Sequence, residues 1–191
     1  MFDFDGTITR SDTLFAFTRN SVSASKYWFG LLVLSPVLVL HKLGFVSSYR
    51  TKEIFLTWYF NDVSLDVFNS HGRNFRSFID SDVRSGAVAQ IAEYKKHGHR
   101  VVIVSASAEN WIAPWAESHQ LEVLSTKLQV VDGKITGKIE GENCNGAEKV
   151  RRIKSYLNPS EYGKIIVYGD SKGDREMFTL GTETHYKPFR D

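Results

Sequence analysis

The sequence predicts an α/β protein with a mostly parallel sheet, an all-helical insert near the start and a small β-hairpin. Two continuous apolar runs carry the sheet, Val101-Val102-Ile103-Val104-Ser105 and Ile165-Ile166-Val167-Tyr168. Strands buried on both faces are apolar throughout rather than alternating. Helical segments separate these runs, and strands that alternate with helices form parallel sheets. Between about residues 20 and 80 the pattern is helical with no strand run, which marks the insert.

Residues 1 to 5 read as a short first strand carrying two aspartates, Asp3 and Asp5, and Gly6 then lets the backbone break at once. Ser11 or Asp12 caps a helix bearing Leu14, Phe15 and Phe17. Tyr27 to Leu40 is strongly apolar but has only 14 residues, short of the roughly 20 that a membrane span requires. It reads as a buried or interfacial helix pair that Pro36 kinks or divides. Ile54, Phe55 and Trp58 share a helical face, and Leu65, Phe68, Phe75 and Ile79 form a stripe broken by Gly72. A helix with Ala87, Val88, Ile91 and Ala92 ends at basic Lys95-Lys96-His97 before Gly98.

Beyond the first long run come a helix over 109–119, a short strand over 121–124, and a hairpin. In the hairpin, Leu128, Val130, Ile135 and Ile139 alternate about an Asp132-Gly133 turn. Asn145 and Glu148 have capping-box spacing for a helix over 146–157. The second long run leads into Gly169-Asp170-Ser171-Lys172-Gly173-Asp174, a helix ending near Leu180, and an edge strand near His185. The expected division is a core of residues 1–15 and 84–191 with the insert over 16–83.

Composition narrows the function. Hydrophobic residues at 42% and charged residues at 24% are ordinary globular values. A net charge of +2 is too small and dispersed for a nucleic-acid partner. The single cysteine, Cys144, excludes an internal disulfide and points to a reducing, cytoplasmic location. The acidic, apolar start does not read as a secretory signal.

Asp3 and Asp5, Ser105 and Asp170 each stand at or just past the carboxyl end of a predicted strand, where parallel sheets bind ligands. Asp174 adds a fourth carboxylate. Four carboxylates without a histidine or cysteine cluster suit a hard divalent cation, Mg²⁺ better than zinc. In such a site one carboxylate can attack phosphorus while its neighbour protonates the leaving oxygen. The Ser105 hydroxyl and the Lys149 ammonium are the groups available for the phosphoryl oxygens. Lys149 sits in the first turn of its helix, where the dipole disfavours a cation, and a local rule broken at a cleft points to function. The plainer alternatives are an acidic loop, a capping serine and a solvated lysine.

The Asp3-Phe-Asp-Gly-Thr7 stretch, the run ending in Ser105, Lys149 and Gly-Asp170-Ser-Lys-Gly-Asp174 resemble, in order and spacing, the four motifs of the haloacid dehalogenase superfamily. The chain looks like the phosphoserine-phosphatase-like branch. That resemblance implies a Rossmann-like three-layer core, a helical cap inserted after the first motif, and a phosphatase of small phosphomonoesters. It implies that Asp3 is the nucleophile and Asp5 the general acid and base. It implies Mg²⁺ held by Asp3, the Asp5 main-chain carbonyl and Asp170, with Asp174 supporting the metal or Lys149. Ser105 and Lys149 would hold the phosphoryl oxygens.

The chain departs from phosphoserine phosphatases where they tend to have Ser at Gly6, a Gly pair at Ala106-Ser107, and Glu near Asp12. Asp12, Ser107 and a cap arginine, Arg50, are the positions from which a substrate would be read. The alternatives are phosphoserine phosphatase proper, a phosphotransferase, or a membrane-surface protein with a vestigial site.

Overall fold

The computed structural model describes residues 1–190. In chain order the elements are α1 (Thr13–Ser21), α2 (Ala24–Lys42), α3 (Ser48–Phe60), β1 (Val63–Ser64), α4 (Leu65–Asp82), α5 (Ser85–Lys96), β2 (Val102–Ala108) and α6 (Glu109–Ser118). Then follow β3 (Glu122–Thr126), β4 (Leu128–Val131), β5 (Lys134–Ile139), α7 (Ala147–Tyr156), β6 (Ile166–Gly169), α8 (Arg175–Phe178) and β7 (Glu183–Tyr186).

The main sheet is parallel, and the N-terminal segment runs through its middle. β2 pairs with β3 and β6 with β7, while Phe2 bridges Ile103 on one side and Tyr168 on the other. Phe2 N–H donates to Val102 O at 2.9 Å, Asp3 N–H to Tyr168 O at 2.9 Å, and Val104 N–H to Phe2 O at 2.8 Å. The expected strand over 1–5 is therefore shorter than its sequence, because the chain leaves the sheet after Asp3. The Phe4 carbonyl then accepts from the backbone of Thr7, Ile8 and Thr9, closing a tight turn.

Side chains alternate across this sheet as strand geometry requires. Val102, Val104 and Val167 face Ile153 of α7 and Met177 of α8, whereas Phe2, Ile103 and Tyr168 face the larger core that includes Ala87 and Ile91 of α5. Two apolar layers thus cover one sheet, giving the three-layer Rossmann-like architecture. The Phe2 ring stacks on Tyr168 with centroids 4.4 Å apart. Full burial of such a ring contributes roughly 1.5–3 kcal/mol.

Helices α1 to α4 form the helical region, and β1 extends the β4–β5 hairpin as an antiparallel third strand. That strand lies inside the segment expected to be all-helical, and three further details differ from the sequence expectation. α2 runs unbroken through Pro36, since the Ser35 hydroxyl donates to Leu32 O at 2.8 Å and satisfies the carbonyl that proline's missing N–H leaves orphaned. α3 buries Phe55, Leu56, Tyr59 and Phe60 while Ile54 is exposed, so its inward face is rotated from the Ile54/Trp58 stripe. α7 starts at Gly146 without a capping box, and Glu148 pairs instead with Arg151 and Arg152.

Gly72 does not interrupt the α4 stripe; it lets α4 touch α6. A Cβ there would lie 2.0 Å from the main-chain oxygen of Asn110. Gly72→Ala is expected to lower the unfolding free energy by about 1–3 kcal/mol in urea titration. This holds although alanine is the better helix former by about 1 kcal/mol. A variant as stable as wild type would contradict the close approach.

Candidate active site

The carboxyl ends of the N-terminal segment, β2 and β6 converge on one cleft of about 860 Å³. Its walls include Asp3, Asp5, Gly6, Asp12, Ser107, Lys149 and Asp170, and helices α2 and α3 add Leu38, His41, Lys42, Lys52 and Phe55. Gly6 is required twice over. Its φ is +75°, and a Cβ would lie 2.4 Å from the Asp170 carboxylate.

Lys149 organises the buried charge. Its ammonium, 1% exposed, donates to Asp3 Oδ1 at 2.6 Å, to Asp174 Oδ1 at 2.6 Å and to Val104 O at 2.8 Å. Burial alone would lower its pKa, but the two carboxylates outweigh that and hold the ammonium charged. One cation therefore serves two acids. Asp174 has the better share: burial pushes its pKa up, but Lys149 and the Ser171 N–H and hydroxyl bring it below the usual value. Asp3 is left as the odd acid, pushed up to about 7 by burial that Lys149 only partly offsets.

Asp170 is also raised, first by burial and then by Asp174, against an ion pair at 2.7 Å with Arg190. Oxygens of Asp3, Asp170 and Asp174 lie within 4.8 Å of one another. Both Asp174 oxygens are already engaged, by Lys149 and by the 170–171 backbone and Ser171 hydroxyl. Asp3 and Asp170 are the two whose cationic partners, Lys149 and Arg190, only partly offset the cost of their charge. Hard oxygen donors short of positive charge are what a small divalent cation fits.

The Asp5 carboxylate turns away from this group. It accepts from the Thr13 N–H at 2.7 Å, the Thr13 hydroxyl at 2.6 Å and the Ser107 hydroxyl at 2.6 Å. The β2–β3 register shifts between Ser105 and Ala108, and this irregularity brings Ser107 to the cleft wall. Ser105 is fully buried behind it, its oxygen accepting from the Ser107 N–H at 3.0 Å. Asp12 caps α1, accepting from Leu14 N–H at 2.9 Å. At the cleft rim its pKa is pushed up, by desolvation first and then by the Asp5 charge.

Arg50 is not brought into the cleft. Its side chain is 73% exposed and sits 3.7 Å from Glu53. Two residues on, Lys52 is the buried cation the sequence reading missed. It donates to Ala106 O at 2.6 Å and Asn143 Oδ1 at 2.7 Å, and burial lowers its pKa to about 8 against the pull of Asp5 and Asp12. Thr13 was also missed; only its place after the N-cap hinted at it.

A family model described as haloacid dehalogenase-like hydrolase matches residues 1–179. The chain belongs to this family. This haloacid dehalogenase-like hydrolase is 31% identical to the protein CicA of Caulobacter vibrioides over 192 residues, 99% of this chain and 85% of the relative. It is 25% identical to a phosphoserine phosphatase of Methanocaldococcus jannaschii over 185 residues, covering 93% of this chain and 79% of that one. Its fold matches a solved phospho-aspartyl intermediate analogue of phosphoserine phosphatase with a TM-score of 0.68 at 19% identity, over 96% of this chain and 82% of that one.

Replacing Lys149 by Met would strand two buried carboxylates. The expected cost is about 3–5 kcal/mol at neutral pH. Without the ammonium, both acids would have folded pKa values above their unfolded ones. A raised acid contributes stability below its unfolded pKa and loses it as pH rises through the folded value. The cost of Lys149→Met, followed by denaturant unfolding, is therefore expected to grow from pH 5 to pH 8. A cost independent of pH would contradict the shared-cation arrangement.

Proposed function

We propose that the protein is a Mg²⁺-dependent phosphatase that hydrolyses a small phosphomonoester through an aspartyl-phosphate on Asp3. The observation that carries this reading is the pairing of a buried carboxylate, Asp3, whose charge Lys149 only partly offsets, with a second one, Asp5, held separately by Thr13 and Ser107. The phosphatase relative and the fold match support the same class.

In the first step an Asp3 oxygen attacks phosphorus, the ester P–O bond breaks, and Asp5 gives its proton to the departing oxygen. Asp5 then takes a proton from water as that water attacks phosphorus. The acyl-phosphate P–O bond breaks, releasing inorganic phosphate and restoring the Asp3 carboxylate. Lys149 and Ser107, both on the cleft wall, hold the phosphoryl oxygens, with Ser105 bracing the Ser107 N–H from behind. Asp3, Asp170 and the Asp5 main-chain carbonyl would hold Mg²⁺, which would supply charge neutralisation at the phosphate. Asp174 keeps Lys149 in place. A proton carrier at position 5 suits an oxygen leaving group, which carbon–halogen cleavage does not produce.

Residues 16–83 act as a cap over the cleft, and Lys52 rather than Arg50 is the buried cation it sets in the cleft wall. Asp12 and Ser107 complete the rim that reads the substrate.

Turnover of a generic aryl phosphate is expected to require Mg²⁺, to vanish in Asp3→Asn, and to fall about 10²–10⁴-fold in kcat in Asp5→Asn. Activity without Mg²⁺, or in Asp3→Asn, would overturn the reading. Lys52→Ala is expected to raise KM about tenfold or more, since a hydrogen bond to a charged group contributes about 1.5–3 kcal/mol. Arg50→Ala should leave KM within about twofold, as for a surface substitution. The reverse order would return the substrate contact to Arg50.

A further inference from the structure

Helix α2 is apolar on the side that the rest of the protein does not cover. Tyr27, Gly30 and Leu34 are buried, with a Cβ at Gly30 falling 2.3 Å from the Tyr59 hydroxyl of α3. On the other side Trp28, Phe29, Leu32, Val33, Val39 and Leu40 are exposed, followed by Leu43 and Phe45. These are eight of the fourteen exposed large hydrophobics among the described residues, gathered in eighteen consecutive positions. At 3.6 residues per turn those within the helix fall on one stripe. Monomeric proteins rarely leave so continuous an apolar surface uncovered without a binding role.

Charge decides the partner. From residue 13 to residue 52 there is no Asp or Glu, while the basic side chains of Arg19, Lys26, Lys42 and Arg50 are exposed. A second copy packed two-fold on this stripe would set basic ends against basic ends. An anionic bilayer surface offers the opposite charge together with an apolar interior. Aromatic residues near both ends of the stripe, Trp28 and Phe29 at one and Phe45 at the other, suit the interfacial depth. The helix is 19 residues long, about 28 Å, yet its Tyr27/Gly30/Leu34 face is committed to the protein, so it lies along a membrane rather than across one.

We propose that α2 and the turn after it dock the protein on an anionic lipid surface. Leu38, His41 and Lys42 belong both to this helix and to the wall of the cleft. Docking therefore brings the cleft next to the lipid headgroups. The docking surface stands on α2 alone and does not depend on the reaction assigned to the cleft.

The test uses the full chain with vesicles of phosphatidylcholine, with and without phosphatidylglycerol, read by sedimentation and by light scattering without lipid. Wild type is expected to sediment with the anionic vesicles, and Leu32→Gln/Leu40→Gln/Phe45→Ser to lose most of that binding while melting at the wild-type temperature. Arg19→Glu/Arg50→Glu, which keeps the apolar stripe, is expected to weaken binding several-fold. Wild type remaining in the supernatant would overturn the proposal. So would binding that the triple variant retains, or a wild-type dimer that the triple variant dissolves, which would make the stripe a self-association surface.

Discussion

The Lys149 ammonium, shared at 2.6 Å by Asp3 and Asp174, is the interaction on which the site depends. All three groups are nearly excluded from water, where an unpaired charge is costly and a paired one is held tightly. The pairing is unequal by construction. Asp174 has its second oxygen satisfied by the Asp170 and Ser171 backbone and the Ser171 hydroxyl, so it stays ionised and fixes the lysine. Asp3 has no such set of donors, and its carboxylate remains short of positive charge. The same deficit that makes Asp3 unfavourable alone gives the cleft its appetite for a cation and an electrophile.

Holding Asp3 still is the work of the sheet rather than of a long strand. Phe2 is hydrogen-bonded to β2 through both its N–H and its carbonyl and stacked on Tyr168, while on the β6 side Asp3 N–H donates to Tyr168 O at 2.9 Å and Tyr168 N–H donates to Met1 O at 3.0 Å. Two neighbouring strands thus constrain a segment of three residues. The turn that follows gathers three backbone N–H groups on the Phe4 carbonyl, which directs Asp5 toward Thr13 instead of toward Asp3. Two aspartates separated by a single residue thereby enter different environments. Different environments give them different chemistry.

Much of this was legible in the sequence where the physics is local. Apolar runs announced β2 and β6, and alternation about Asp132-Gly133 announced β4 and β5. The placing of Asp3 and Asp170 at one cleft followed from strand polarity, whereas Ser105 lies buried behind Ser107 and only the latter reaches the cleft wall. What was not legible depended on rotation and on distant partners. Arg50 and Lys52 are separated by about 200° around a helix, so a wrong choice of inward face exchanges an exposed cation for a buried one. α3 is apolar on several sides, with Phe55, Leu56, Trp58, Tyr59 and Phe60 in close succession, and sequence alone does not choose among them. Asn145 failed as a cap because its side chain lies over Gly173, a contact 28 residues away in the chain. Pro36 failed as a breaker because Ser35 supplied the missing donor.

One buried lysine shared with Asp174 leaves Asp3 only partly compensated, a deficit that a divalent cation would make up. The direct measurement is the titration of the Asp3 carboxyl carbon by NMR, with and without Mg²⁺. Without the ion the carboxyl is expected to titrate near pH 7, and saturating Mg²⁺ is expected to bring the midpoint down by well over one unit. An apo midpoint at the ordinary aspartate value of about 3.9, unmoved by Mg²⁺, would contradict the account.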